Sequence, residues 1–136
     1  MTNKACILSV AGPNLLRDEA ALFAEHKPWG VILMGRSCIS KMQVSQLVED
    51  IWNAVGREIL IFIDQEGGRV ARLKAPEWPL FPKGIVYGDL YDADPDKGLE
   101  AVWLGHRLIA HELAAMGIHA DCAPVCDLPQ PGAHNG

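Results

Sequence analysis

Two carboxylates, an amide, two glycines and an arginine stand in unbroken order at Asp64-Gln65-Glu66-Gly67-Gly68-Arg69, with Arg72 three residues further on. This set suits recognition of hydroxyl-rich or acidic ligands. An ionised carboxylate accepts short, charge-assisted hydrogen bonds from O–H groups, and a guanidinium offers a planar fork of donors. Adjacent glycines let the backbone turn sharply and let a ligand come close to the chain. Just upstream lie Ile59-Leu60-Ile61-Phe62-Ile63, an apolar run that reads as a strand and delivers Asp64 to a rigid strand end. A plainer reading stands beside this one: Asp64 pairs with Arg69 or Arg72 as a structural ion pair, and the glycines only make a turn.

Other chemistries find less support. His119, Cys122, Cys126 and His134 do not have zinc-finger or knuckle spacing, and His119 to Cys122 lies along a strand-like run whose side chains alternate faces. His106 and His111 are five apart, which does not place them on one helix face as a metal pair. Neither a Gly-x-Gly-x-x-Gly turn nor a Walker-type Lys-Ser/Thr is present, so no nucleotide, metal or other cofactor is expected. Cys6 and Cys122 sit in apolar runs and read as small buried hydrophobes, and the four cysteines are expected to be reduced thiols. Trp29, Trp52, Trp78 and Trp103 read as core residues, with Trp78 open to either role.

The elements that must position these residues alternate along the chain. A first strand spans 5–10 and ends at Gly12-Pro13, and a helical pattern from Leu15 to His26 presents Leu15, Leu22 and Phe23 on one face. Val31-Ile32-Leu33-Met34 is the second strand. Ser40 then takes the N-cap position with Gln43 at capping-box spacing. Val44, Leu47, Val48, Ile51, Trp52 and Val55 follow at helical spacing, and Gly56 closes the helix. After the third strand, 64–94 reads as a long irregular stretch. Pro95 opens a third helix running from Asp96 to Met116, and 118–123 is the fourth strand. Strand–helix alternation of this kind predicts a parallel sheet with right-handed crossovers. Ligands bind beyond the carboxyl ends of such strands, which adds Arg36 and Ser37 after the second strand and Asp127 after the fourth.

Composition narrows the class. The 136 residues carry 12 Lys and Arg against 17 Asp and Glu, a formal charge of −5, which argues against a phosphate-neutralising nucleic-acid binder. No run approaches the ~18 apolar residues of a membrane span, and no secretory cleavage pattern follows the first strand. A single cytoplasmic domain covering 1–136 is the expectation.

The segment from Ile63 to Leu73 closely resembles the signature of bacterial β-N-acetylhexosaminidases of glycoside hydrolase family 3. The resemblance extends to Trp29-Gly30-Val31-Ile32-Leu33-Met34-Gly35-Arg36-Ser37, to the proline-rich stretch containing Trp78-Pro79 and Phe81-Pro82, and to the passage from Ala114 to Asp127 that contains Ala123-Pro124-Val125-Cys126-Asp127. It implies an α/β fold of parallel β/α units, four strands and about three helices, equivalent to the first half of a TIM (β/α)8 barrel. It further implies that Asp64 and Arg72 bind the N-acetylglucosamine ring, with Glu66, Arg69 and Arg36 in positioning roles. Ser37 stands where the family commonly has Asn. The family's Lys-His sugar-binding pair, its His acid/base and its Asp nucleophile belong to segments beyond Gly136, so no residue here is assigned a catalytic role.

The expected activity of the lineage is removal of terminal β-N-acetylglucosamine from muropeptides in peptidoglycan recycling. The alternative is a catalytically silent half-barrel that binds only an amino sugar or a partner chain. A half-barrel also leaves two open sheet edges and an uncovered inner face, so a homo-oligomer is expected.

Overall fold

The computed structural model describes residues 3–126; Asp127 and His134 lie outside them. In chain order the elements are β1 (Lys4–Ser9), α1 (Arg17–His26), β2 (Pro28–Leu33), α2 (Lys41–Val55), β3 (Leu60–Ile63), α3 (Gly84–Ala93), α4 (Pro95–Ala114) and β4 (Ala120–Asp121). The strands form one parallel sheet in the order β1-β2-β3-β4. Each strand therefore returns to its neighbour through at least one helix, as parallel pairing requires.

The centre of the sheet and α2 make the core. Val31 pairs with Ile61 and Leu33 with Ile63 across β2 and β3, and all four are fully buried. Val44, Leu47, Val48, Ile51 and Val55 of α2 join them in one apolar cluster. The ends of α2 are set locally. Ser40 Oγ accepts the Gln43 N–H at 3.2 Å, and Gly56 takes the left-handed conformation at φ 80° that closes the helix. The Gln43 amide oxygen accepts from Ile39 N–H at 2.9 Å, one residue before the box position. Its Nε2 donates to Ser37 O and Pro13 O, so one side chain ties the helix start to two loops.

Only one face of the sheet is covered in this way. Ile7, Ile32 and Phe62 belong to the opposite face, where Ile7 is 45% exposed and the other two are half-buried. The near-continuous apolar strands, which suggest cover on both faces, are thus open on one side among the described residues. In α1 Phe23 is buried and Leu22 is exposed, and Leu15, just before the helix, packs against the core.

The stretch 64–94 is less irregular than its composition suggests, because it contains α3. This helix buries none of its own residues, so no amphipathic stripe marks it. It is held by α4 instead. Gly98 and Gly105, seven apart on α4, face Tyr91 and Tyr87 of α3, and a Cβ at either glycine would overlap the tyrosine. Among the described residues there are thus four α-helices, α3 adding one to the expected three. Asp94 caps α4 by accepting the Lys97 N–H, with Pro95 at the first helical position. Beyond the helix, β4 shortens to a two-residue ladder within the expected 118–123 run.

Candidate functional site

Asp64 follows the last residue of β3. Side chains alternate along a strand, so Asp64 falls on the open face shared with Phe62, not on the face under α2. Its Oδ2 accepts from Arg72 Nη2 at 2.6 Å, with Asp64 23% and Arg72 29% exposed. Of the two pairings open to Asp64, the structure forms the one with Arg72. Arg69 is exposed and, among the described residues, makes no ion pair. Glu66 is half-buried, with its backbone N–H bonded to Val70 O at 3.0 Å.

Gln65, which spacing did not single out, holds the whole turn. It is buried, and its Oε1 accepts the backbone N–H groups of Arg72 at 2.8 Å and Leu73 at 3.0 Å, while Nε2 donates to Leu73 O. Its own N–H donates to Asp121 Oδ1 at 2.8 Å. One amide thus fixes the chain leaving Arg72 relative to the strand end that carries Asp64. Nothing in its type or position signals this, because an amide in a polar turn shows its burial only once its partners are in place.

The glycines make the sharp turn expected of them. Gly67 and Gly68 have φ of 92° and 60°, and a Cβ at Gly67 would overlap Pro82 O. Gly68 N–H donates to Phe81 O at 2.9 Å. The segment that approaches closely is thus the protein's own 81–83, which packs over the turn. Arg36 is bonded to β1 rather than to Asp64: its Nε donates to Val10 O at 3.0 Å and its Nη2 to Ser9 Oγ at 2.7 Å. It ties the ends of β1 and β2 together.

Cys122 and Asp121 complete the strand ends. Cys122 N–H donates to Ile63 O at 2.9 Å, so Cys122 lies across from Asp64 and is exposed rather than a buried hydrophobe. Burial pushes its thiol up, and the nearby Asp64 carboxylate reinforces this. Burial also raises the Asp121 carboxyl, against the pull of the Gln65 N–H and of His106. His119 is engaged in the sheet, its Nδ1 accepting from Ile61 N–H at 3.2 Å. Among the described residues no group of three or more His, Cys, Asp or Glu is arranged to hold a metal ion. Of the tryptophans, Trp78 is buried and Trp52 packs against the core, whereas Trp29 and Trp103 are exposed.

The arrangement can bind and orient; two carboxylates on one turn do not flank a bond. Residues 3–134 match the glycosyl hydrolase family 3 N-terminal domain, and the chain belongs to that family. It is 32% identical over 122 residues to a β-hexosaminidase of Bordetella avium and 36% identical over 122 residues to one of Xanthomonas axonopodis pv. citri. Each comparison covers 90% of this chain but only 35% and 36% of the relative, so the chain spans about a third of their length. NagZ from Neisseria gonorrhoeae, solved in complex with N-trifluoroacetyl-D-glucosamine, superposes with a TM-score of 0.86 at 28% identity, over 93% of this chain and 36% of that one. A family 3 β-N-acetylglucosaminidase from Paenibacillus sp. str. FPU-7 gives 0.75 at 28% identity, over 87% and 22%. The fold is that of the NagZ N-terminal, TIM-barrel-like domain, and the lineage is that of the glycoside hydrolases.

Proposed function

We propose that this chain supplies the sugar-gripping wall of a β-N-acetylhexosaminidase site, with terminal β-N-acetylglucosamine as the group held. One observation carries the reading: Asp64 stands at a strand end on the open face, oriented by Arg72 at 2.6 Å in a turn that Gln65 rigidifies. A carboxylate held this way accepts sugar hydroxyls without first having to be ordered. Arg72 adds donors beside it, with Glu66 and Arg69 on the same turn. The reading extends to muropeptides as the source of that sugar, in cytoplasmic peptidoglycan recycling. Retaining hydrolysis needs a nucleophile and an acid/base flanking the glycosidic bond, and Asp64 with Glu66 cannot take those places.

Saturation-transfer NMR with N-acetylglucosamine tests the binding. The expected result is transfer to the ring protons that is lost in Asp64→Ala, together with no release of chromophore from a chromogenic β-N-acetylglucosaminide. Absence of transfer in the parent chain contradicts the reading.

The Asp64–Arg72 contact itself favours a second reading, in which the pair is structural and the half-barrel is catalytically silent. Among the described residues β1 and β4 are unpaired sheet edges and the inner face is open, which supports association of two copies. Sedimentation at micromolar concentration is expected to give a dimer or larger assembly, and a compact monomer alone contradicts that part.

A further inference from the structure

The ladder between β3 and β4 holds two residue pairs, Phe62 with Ala120 and Ile63 with Asp121. In one direction its bonds are backbone to backbone: His119 N–H donates to Ile61 O and Cys122 N–H to Ile63 O, each at 2.9 Å. In the other direction, side chains of β4 and the residue before it stand in for carbonyls. Ile61 N–H donates to His119 Nδ1 at 3.2 Å, and Gln65 N–H donates to Asp121 Oδ1 at 2.8 Å. The rung just past Asp64 is therefore closed by a carboxyl group. The Gln65 N–H belongs to the planar peptide that joins Gln65 to Asp64, so this bond sets the orientation of the backbone leaving Asp64. Asp121 itself pairs with Ile63, and its side chain leaves the sheet on the face opposite Asp64. Its hold reaches the site through Gln65, whose Oε1 accepts from Arg72 and Leu73 while Arg72 Nη2 binds Asp64 Oδ2.

We propose that Asp121 is a positioning residue of the sugar grip: by accepting the Gln65 N–H it fixes the peptide that follows Asp64, and with it the direction in which the Asp64 carboxylate meets the sugar. The role rests on Asp64 being the sugar's ligand. It makes β4 part of the site although Asp121 points away from the face where the sugar is held. A carboxylate that must meet hydroxyl groups within hydrogen-bond range tolerates little movement of the strand end that carries it.

The test titrates the full 136-residue chain with N-acetylglucosamine by NMR, in the parent, Asp121→Ala and Asp121→Asn. Asp121→Ala removes the acceptor and is expected to weaken binding about tenfold, the size of one lost charge-assisted hydrogen bond. The Gln65 amide and Arg72 side-chain N–H signals should be displaced with it. Asp121→Asn keeps an oxygen in the same place and is expected to restore the affinity to within about twofold of the parent, with those signals near their parent positions. A side chain that served stability alone would leave the affinity of the folded protein unchanged in both variants. The parent chain gives a second readout that depends on no variant. Coupling between two sites is reciprocal, so saturating sugar is expected to slow hydrogen exchange of the Gln65 N–H about tenfold. Parent-like affinity in folded Asp121→Ala, or Gln65 exchange untouched by the sugar, overturns the role of Asp121 alone. No binding by the parent chain overturns the reading of Asp64 and this role with it.

Discussion

The face of the sheet under α2 and the turn that follows β3 are built from neighbouring residues but held by opposite means. Beneath α2, order comes from apolar burial spread over many side chains, including Val31, Leu33, Ile51, Ile61 and Ile63. In the turn, order comes from hydrogen bonds that converge on Gln65. The first arrangement is redundant and insensitive to any single polar group. The second places Arg72 against Asp64 to within a hydrogen bond, and it depends on a single side chain. A core can afford approximate complementarity, whereas a site that must present one carboxylate in one orientation cannot.

Truncation should show the contrast as a difference in kind. Ile51→Ala removes a fully buried side chain of α2 and is expected to lower stability by about 2–5 kcal/mol in urea unfolding. The Asp64–Arg72 geometry should survive, with the Arg72 side-chain N–H resonances unmoved. Gln65→Ala leaves the Arg72 and Leu73 N–H groups without their acceptor and is expected to cost about 2–3 kcal/mol. In this variant the Arg72 resonances should shift and broaden. If both variants leave the Arg72 signals alike, the distinction between the two regions fails.

Smaller changes sharpen the picture. Ser40→Ala deletes the cap of α2 and is expected to cost about 1 kcal/mol, with faster amide exchange confined to the first turn of that helix. Asp121→Asn addresses the polar region through its pH dependence. Burial raises the Asp121 carboxyl in the folded protein, so the folded state holds that proton more tightly than the unfolded one. This contribution is therefore greatest below the ordinary aspartate value and is lost as pH rises through the raised folded value. Asp121→Asn keeps an oxygen for the Gln65 N–H and removes the charge. Its urea midpoint at neutral pH should match or exceed that of the parent chain, with a flatter profile across that acid window. A clear loss of stability at neutral pH would mean the ionised carboxylate is needed.

The same contrast explains what could be read in advance. The whole of α2 was legible from Ser40, the spacing of its apolar residues and Gly56, because burial writes a period into sequence. The parallel order of the strands followed from alternation, and Asp64 from its place after five apolar residues. Gln65 was not legible: a buried amide looks like any polar loop residue until its partners are known. Nor was α3, whose partner is a pair of glycines seven apart on another helix and which has no apolar stripe of its own. Arg36 could be placed at a strand end, but its attachment to Ser9 and Val10 depends on the pairing of β1 with β2.

The most direct measurement is a fluorine NMR titration of N-trifluoroacetyl-D-glucosamine, the ligand carried by the Neisseria gonorrhoeae neighbour, against the parent chain and Asp64→Asn. Saturable broadening with the parent, reduced tenfold or more in the variant (about 1.4 kcal/mol or above) while both unfold at similar urea concentrations, is the predicted result. Equal binding by the two chains would show that the sugar is held elsewhere and that Asp64 serves only its arginine.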